Sequence, residues 1–392
     1  MSIAAFSLAN SITGCKNGVT KEKIVWKELA TLPPLTGDSV QPGLSGVFSG
    51  IIGQNLIIAG GTNFKNCMPW KGGAKTFYAD IYACSFVSAK KEWKIYRNKF
   101  IKPLAYGVSI SLPEGILCIG GSDSIKAYSE VFLMKYNGSA FQYEKWPSLP
   151  VPLANMCGAY LSGKIYIAGG IENPSSPKAT RHFFVLDVND KKNGWKTLAS
   201  WPGEPRAFAV AVAQNNGKDN CFYLFSGRNI SPDFPLKVLS DGYEYNPRLK
   251  QWKKLDGATG PKFPVMAATA VPFGSTHILF FGGVSKELAL EEYNLKQKIS
   301  QYPVFKNQPD NPDSVKYFKE KLLNFYENHP GFSKDVVLYQ TSKNTISKLK
   351  QAPFILPVTT NVIIKDNSFI ITCGEVKPGI RTSKIFSASG KN

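Results

Sequence analysis

Short apolar segments recur along the chain, and each of them ends in a pair of small residues, Gly-Gly or a close equivalent. Six such segments occur: LIIAGG at 56–61, LCIGG at 117–121, IYIAGG at 165–170, FYLFSG at 222–227, LFFGG at 279–283 and FIITCG at 369–374. Their final glycines follow one another at intervals of 49 to 60 residues, except for a last interval of 91 residues. Apolar runs of this length that end at glycine predict buried β-strands.

Each of these segments has further strand-like segments on both sides. A run of small and β-branched residues such as 207–210 precedes it, and an aromatic run such as 242–245 follows it. A fourth segment often carries tryptophan, as at Trp93, Trp195 and Trp252. Four antiparallel strands that repeat at about 50 residues with a glycine pair are typical of a kelch-type blade. The sequence therefore predicts an all-β fold, a six-bladed kelch-type β-propeller.

The two ends of the chain are predicted to meet in one blade. Residues 26–29 (WKEL) look like a fourth strand without a blade of its own, whereas the sixth repeat has room for only a third strand after Glu375. We therefore expect the N-terminal strand to complete the last blade, because blades are stable only when they stack into a closed ring. Residues 24–392 would then form a single propeller domain.

The long last interval predicts an insertion at about 284–335, between the repeats of blades 5 and 6. Apolar residues recur at helical spacing between Ser314 and His329, so the insertion is expected to contain a helix. This helix would either pack on the flank or face of the propeller, or cap and narrow the channel mouth. A shorter aromatic insertion at 64–78 could line the same mouth.

Residues 1–23 resemble the signal segment of a bacterial lipoprotein. Ile12-Thr13-Gly14-Cys15 is similar to a lipobox, in which the cysteine is lipidated after cleavage. The basic N-terminal region that such a signal needs is missing, and the apolar stretch is short. We expect export to the periplasm or a lipid anchor to a bacterial membrane at Cys15, with a misassigned start, trimming or a chance match as alternatives.

The net charge of +19 first suggests a nucleic-acid partner, since 47 Lys and Arg stand against 28 Asp and Glu. The lysines are scattered singly, however, and neither a basic helix nor a nucleic-acid-binding motif is present. The composition instead predicts a solvated basic surface whose field attracts small anions. No apolar run reaches the length of a transmembrane helix.

The sequence lacks the residues that several kinds of metal site and catalytic site require. The three histidines fall in different repeats, and the seven cysteines form no CxxC pair, which argues against a structural zinc site. Neither the ligands of a copper-radical oxidase nor the repeated Asp-box of sialidases is present, and phosphate-binding loops and nucleophile elbows are absent as well. These absences argue against zinc and copper sites and against a nucleotide cofactor.

Polar residues at the starts of first strands and after the glycine pairs are expected to face one end of the propeller channel. These residues are Asn63, Asp123, Asn155, Glu172, Arg206, Arg228, Glu375 and Arg381. Three arginines and several carboxylates around one pore predict a site for a carboxylated ligand, because arginine binds a carboxylate through two parallel hydrogen bonds.

The segment GEVKPGIRTSKIF, residues 374–386, resembles the GEAKPGLRT segment of the N-acetylneuraminate epimerases, the sialic acid mutarotases of bacteria. AYGVSISLPEGILCIGG at 105–121, AGGTNFK at 59–65 and EPRAFAVAV at 204–212 are similar to further segments of this family. Two departures accompany the resemblance. The blades stand in a circularly shifted order, and Leu104 occupies a position where the family often has an arginine.

The resemblance implies a cofactor-free isomerase that interconverts the anomers of N-acetylneuraminate or of a related keto-acid sugar. Glu375 matches the family's proposed proton acceptor, and Arg381 matches its partner arginine. Arg381, together with Arg206 and Asn155, would bind the acidic sugar. Opening the cyclic hemiketal needs a base for the anomeric hydroxyl and a proton for the ring oxygen. The alternative is a kelch propeller without catalytic activity that binds a protein or a glycan, since the fold alone does not decide between them.

Overall fold

The computed structural model describes most of the chain. The described residues are 24–35, 38–87, 92–176, 178–231, 234–258, 265–301 and 311–390. The predicted signal segment and Cys15 lie outside them.

Six four-stranded antiparallel sheets form the blades of the propeller, numbered here in chain order. Blade 1 contains Phe48–Ile52, Asn55–Ala59, Ile81–Ser85 and Trp93–Tyr96, and blade 2 contains Val108–Leu112, Gly115–Ile119, Val131–Tyr136 and Phe141–Trp146. Blade 3 contains Cys157–Leu161, Lys164–Ala168, Phe183–Asp187 and Lys196–Thr197, and blade 4 contains Val210–Asn215, Asn220–Phe225, Gly242–Asn246 and Gln251–Lys254. Blade 5 contains Thr269–Phe273, His277–Phe281, Val336–Gln340 and Thr345–Lys348, and blade 6 contains Val362–Lys365, Ser368–Ile371, Lys384–Gly390 and Ile24–Thr31. The predicted six-bladed propeller is confirmed.

Three two-stranded hairpins and two helices extend from the blades. The hairpins pair Thr62–Asn63 with Thr76–Phe77, Arg228–Ser231 with Phe234–Val238, and Glu375–Lys377 with Ile380–Arg381. The helices, α1 (Lys286–Gln301) and α2 (Asn311–Asn328), belong to blade 5, and short 3-10 helices cover Pro69–Lys71, Lys191–Asn193 and Asp256–Ala258. The helical insertion is confirmed, with α2 close to its predicted bounds, but α1 is an additional helix that the sequence analysis missed.

A closed circuit of backbone hydrogen bonds surrounds the propeller axis. In each blade a single residue, two or three positions before the first strand, adopts a left-handed conformation with φ between 49° and 66°. These residues are Gly46, Tyr106, Asn155, Phe208, Ala267 and Thr359. Each N–H donates to the carbonyl of its counterpart in the preceding blade at 2.7–3.2 Å, and Gly46 closes the circuit by donating to Thr359. We call these six residues the axial ring. Five of them are not glycine, so the ring holds them in a region that non-glycine residues rarely adopt.

The glycine pairs allow neighbouring blades to approach one another closely. A Cβ atom on Gly60 would lie 2.3 Å from the carbonyl oxygen of Leu104 in the next blade, and one on Gly169 would lie 2.2 Å from that of Arg206. The glycine that follows each of these donates its N–H to the same carbonyl, at 2.9 and 2.8 Å. The glycine pairs that repeat in the sequence therefore mark the places where neighbouring blades contact each other.

The N-terminal strand is tied to blade 5 as well as to blade 6. Ile24–Thr31 pairs antiparallel with Lys384–Gly390, and Trp26 lies opposite Ala388. The indole of Trp26 packs edge-on against Phe281 at 5.6 Å and Phe354 at 5.3 Å between ring centroids.

We expect Trp26→Ala to lower the free energy of unfolding by about 2–4 kcal/mol, because the substitution removes the indole and leaves a cavity between blades 5 and 6. Urea denaturation followed by circular dichroism measures the change. Val25→Ala is the control, because Val25 is 41% exposed in the same strand, and we expect it to change the free energy by no more than about 0.5 kcal/mol. Equal losses in the two variants would contradict this role for Trp26.

Candidate active site

A cavity of about 600 Å³ lies beside the axial ring. Three ring residues, Phe208, Ala267 and Thr359, line both this cavity and the narrower channel of about 170 Å³ along the axis. The hairpins of blades 4 and 6, the insertion of blade 1 and the two helices supply its other walls. Its volume lies within the range of about 300–1,000 Å³ that is typical of small-molecule sites.

The two insertions meet at the wall of this cavity. Trp70, in the insertion of blade 1, stacks on Tyr326 of α2 with ring centroids 4.4 Å apart and an interplanar angle of 17°. Leu288 of α1 lines the same cavity. Of the two interpretations of the helical insertion, the structure therefore favours the cap at the channel mouth.

Glu375 and Arg381 face each other across the hairpin of blade 6. They are paired in its register, and the Arg381 Nη1 lies 3.5 Å from the Glu375 Oε1. The same Oε1 accepts a hydrogen bond of 2.8 Å from the N–H of Gly379, whose φ of 78° the tight turn requires. Glu375 Oε2 makes no hydrogen bond to the described residues, and the side chain is 18% exposed. One carboxylate oxygen is thus held in place, while the other is free to meet a ligand.

Arg381 is a buried cation with an unused donor. Its side chain is 2% exposed, its Nε donates to the Ser45 Oγ at 3.2 Å, and its guanidinium lies 4.5 Å over the ring of Phe64. Within the described ranges its Nη1 has no hydrogen-bond partner, because the approach to Glu375 lacks hydrogen-bond geometry. A buried donor left unsatisfied is unfavourable, so the site is suited to an anionic ligand that supplies an acceptor.

A second arginine and a second carboxylate line the cavity. The guanidinium of Arg228, in the hairpin of blade 4, lies 4.7 Å over the ring of Phe208. Burial lowers the pKa of Arg228, while Glu292 of α1 acts in the opposite direction. The Glu292 Oε1 accepts hydrogen bonds from the Tyr326 hydroxyl at 2.8 Å and from Lys296 at 2.5 Å.

Arg206 lies outside this cavity, contrary to the expectation that it binds the sugar. Its side chain is fully buried and donates two hydrogen bonds to the carboxylate of Asp241, at 3.0 and 3.1 Å. The guanidinium lies between the rings of Trp201 and Tyr243, at 5.4 and 5.2 Å. All of these partners come from blades 3 and 4, so Arg206 joins blades instead of facing a ligand.

The buried position of Arg206 is apparent when the repeats are aligned on their axial-ring residues. Arg206 stands two residues before its ring residue, and the corresponding positions in blades 2 and 3 are Leu104 and Leu153, both buried. The same comparison shows that Leu104, the departure from the family pattern, contacts the neighbouring blade through its carbonyl.

The other predicted pore residues lie apart from Glu375. Asn155 is the axial-ring residue of blade 3 and lines the narrow channel. The amide of Asn63 donates to the carbonyl of Gly43 in another loop, whereas Asp123 accepts hydrogen bonds within its own loop. Glu172 contacts His182 at 2.8 Å. Of the eight candidates, the structure brings together Glu375, Arg381 and Arg228 at the larger cavity.

Sequence reasoning missed the residues that α1 brings to the cavity, among them Glu292 and Lys296. A signal for this helix exists, because Ser285 caps it through a hydrogen bond from the N–H of Leu288 and is followed by a run rich in Leu, Glu and Lys. His329 also lines the cavity, although its sequence context shows no metal-site spacing.

Across the described part of the chain, no group of three or more His, Cys, Asp or Glu side chains is placed to hold a metal ion. The six described cysteines are unpaired, and burial raises the pKa of Cys157 and Cys373 to about 12. No helix in these ranges is both long and apolar enough to cross a membrane.

The fold is a kelch-type propeller, and its larger cavity contains carboxylates and two arginines in an arrangement suited to a small anionic molecule. The sequence profile of the N-acetylneuraminate epimerase family matches residues 11–142 and 146–391. The chain therefore belongs to the N-acetylneuraminate epimerase family. The circular shift of its blades relative to other members stays a prediction.

Curated relatives match a shorter part of the chain. The N-acetylneuraminate epimerase of Yersinia enterocolitica is 28% identical over 245 residues, which is 62% of this chain and 57% of the relative. A kelch domain-containing protein of Vibrio cholerae is 30% identical over 245 residues, covering 62% of this chain and 63% of that protein. The matched region thus spans less than two thirds of these relatives' length.

A solved structure described as the structure of YjhT shares the fold. It superposes with a TM-score of 0.59 and 14% sequence identity, and the match covers 89% of this chain and 98% of that one. At this identity the likeness concerns the propeller architecture.

We expect Arg206→Met to lower the free energy of unfolding by about 2–4 kcal/mol at pH 7, because the partly buried carboxylate of Asp241 would lose its two hydrogen bonds and its counter-charge. Burial raises the pKa of Asp241, but the Arg206 hydrogen bonds outweigh it, and the folded pKa lies below the ordinary value. The pair therefore stabilises the protein above about pH 4, and its contribution is lost as the pH falls through the lowered folded pKa.

Urea denaturation of both proteins between pH 3 and 7 tests this. The difference between wild type and Arg206→Met should shrink at the acidic end, and the double variant Arg206→Met/Asp241→Asn should recover part of the loss. Unchanged stability together with lost ligand binding would instead make Arg206 a site residue.

Proposed function

We propose that this protein interconverts the anomers of N-acetylneuraminate, or of a closely related keto-acid sugar, in the cavity that contains Glu375 and Arg381. The observation that carries this proposal is the Glu375–Arg381 pair, held 3.5 Å apart on a rigid hairpin at the wall of a cavity of about 600 Å³. Membership of the N-acetylneuraminate epimerase family supports the class of reaction.

Two arginines are available for the carboxylate of the sugar. Among the described residues, the buried Nη1 of Arg381 has no hydrogen-bond partner and Arg228 makes no ion pair. An aromatic ring lies against each guanidinium, Phe64 for Arg381 and Phe208 for Arg228, and restricts its plane. Arg228 takes the substrate-binding role that the sequence analysis assigned to Arg206. Asn155 lines the narrow axial channel instead of this cavity.

Glu375 is the base in this mechanism. Its free oxygen takes the proton of the anomeric hydroxyl, the ring carbon–oxygen bond breaks, and the ring oxygen receives a proton. The open-chain ketone then rotates and closes on its other face, which gives the other anomer. Every atom and electron of the substrate is conserved, so the reaction needs only positioning and proton transfer.

The non-catalytic alternative, a propeller that presents a face to a protein or glycan, keeps some support because one relative is named only as a kelch domain-containing protein. The geometry favours the enzyme, since a surface-binding module has no need of a buried arginine with an unused donor beside a carboxylate. Export and a lipid anchor at Cys15 remain proposals from the sequence alone.

We expect Glu375→Gln to slow mutarotation by about 10²–10⁴-fold, because the variant keeps the size of the side chain but cannot accept the proton. Proton NMR of freshly dissolved N-acetylneuraminate, recorded until its anomers equilibrate, measures the rate above the spontaneous one. Glu327→Gln is the control, since Glu327 is an exposed carboxylate near the end of α2. A wild type no faster than the spontaneous reaction would refute the activity, and a fully active Glu375→Gln would refute the assignment of the base.

We expect Arg228→Met to weaken the binding of N-acetylneuraminate by about 10–100-fold, the usual effect of losing a hydrogen bond to a charged group. Calorimetric titration measures the dissociation constant. Lys237→Met is the matched control, because Lys237 is paired with Asn229 across the same hairpin but its ammonium binds Glu204. Unchanged affinity in Arg228→Met would show that Arg381 alone holds the carboxylate.

A further inference from the structure

His329 follows α2 directly, and its hydrogen bond selects one tautomer of the imidazole. The N–H of Gly331 lies 3.0 Å from the His329 Nδ1. Because a backbone N–H can only donate, Nδ1 has to be the unprotonated nitrogen of the ring. A neutral His329 therefore carries its proton on Nε2.

The surroundings of His329 favour this neutral form. The residue is 5% exposed, and the rings of Phe325 and Phe332 pack edge-on against it at 5.2 and 5.8 Å. Burial lowers the pKa of His329, Glu292 raises it and Lys377 lowers it further. These groups come from α1 and from the hairpin of blade 6. The other charged or titratable groups that line the cavity are Lys75, Arg228, Tyr293, Lys296, Tyr326, Glu375 and Arg381.

His329 lines the same cavity as Glu375, Arg228 and Arg381. Its Nε2 has no hydrogen-bond partner among the described residues. The two arginines already suit the permanent charge of a carboxylate. A neutral N–H on a ring packed by two phenyl rings is instead suited to an oxygen whose negative charge exists only during the reaction.

We propose that His329 is a further catalytic residue, whose Nε2–H donates a hydrogen bond to the ring oxygen of the sugar as the ring opens. The inference rests on the proposed mutarotase function. Glu375 takes the proton of the anomeric hydroxyl, and the electron pair of that O–H bond forms the carbonyl. The electrons of the ring carbon–oxygen bond go to the ring oxygen, which His329 stabilises while keeping its own proton. The protonated Glu375 then returns its proton to the ring oxygen, so the proton count is unchanged.

The tautomer is tested by nitrogen-15 NMR of the full chain labelled in its histidines. The chain contains only three histidines, so the signals that disappear in His329→Gln identify this residue. We expect an unprotonated Nδ1 and a protonated Nε2 at pH 7. A ring protonated on Nδ1, or on both nitrogens, would overturn the inference.

The role in the reaction is tested with two amide substitutions. The side-chain oxygen of His329→Asn replaces Nδ1 as the acceptor for Gly331 but offers no donor at the position of Nε2, whereas the amide nitrogen of His329→Gln reaches that position. We expect the Asn variant to lose about 10²–10³-fold in kcat with a dissociation constant close to that of wild type, as when an oxyanion-stabilising donor is removed. The Gln variant should keep at least about a tenth of wild-type kcat.

His182→Gln is the control, because His182 lies on the surface, and thermal unfolding of every variant checks the fold. An active wild type with an equally active His329→Asn would overturn this inference alone. Equal losses of kcat in Asn and Gln variants that remain folded would also overturn it. A wild type without mutarotase activity would overturn the proposed function and this inference together.

Discussion

The axial ring is the constraint on which the rest of the structure depends. Six residues, one from each blade, pass a backbone hydrogen bond around the axis and return to the first, so the position of each blade is set by both of its neighbours. In this chain the circuit closes only when all six blades are in place, and the last blade is itself completed by the N-terminal strand. Closing the ring and pairing the chain ends are therefore parts of a single cooperative structure.

The ring also determines where chemistry is possible. It leaves a channel of about 170 Å³ along the axis, whereas the hairpins and insertions beside it enclose a cavity of about 600 Å³. The propeller supplies the rigid elements, since Glu375 and Arg381 stand on a short paired hairpin and Arg228 on another. The two insertions supply a further part of the cavity wall, joined by the stacked rings of Trp70 and Tyr326. Within such a wall, charges and donors act more strongly than they do in water.

The fold was largely predictable, because every repeat carries the same apolar strand and the same glycine contact. The Glu375–Arg381 pair was predictable too, since its seven-residue motif is contiguous and its turn contains Gly379, whose φ is 78°. Arg206 was misplaced because a charged residue in a predicted pore strand looks like a ligand-binding residue. Its carboxylate partner, Asp241, lies 35 residues further along the chain, and only packing brings the two side chains together between aromatic rings.

The sequence by itself determined the number of blades, the region in which the chain closes and the motif that carries the candidate base. These properties depend on local patterns that repeat or that lie within a few residues of one another. The tertiary structure alone decided which arginines line the cavity, which wall the helices form, and that the His329 Nδ1 accepts a hydrogen bond from Gly331. Each of these depends on contacts between segments far apart in the chain, and the physical reason is that burial and hydrogen-bond partners are properties of the packed molecule rather than of its segments.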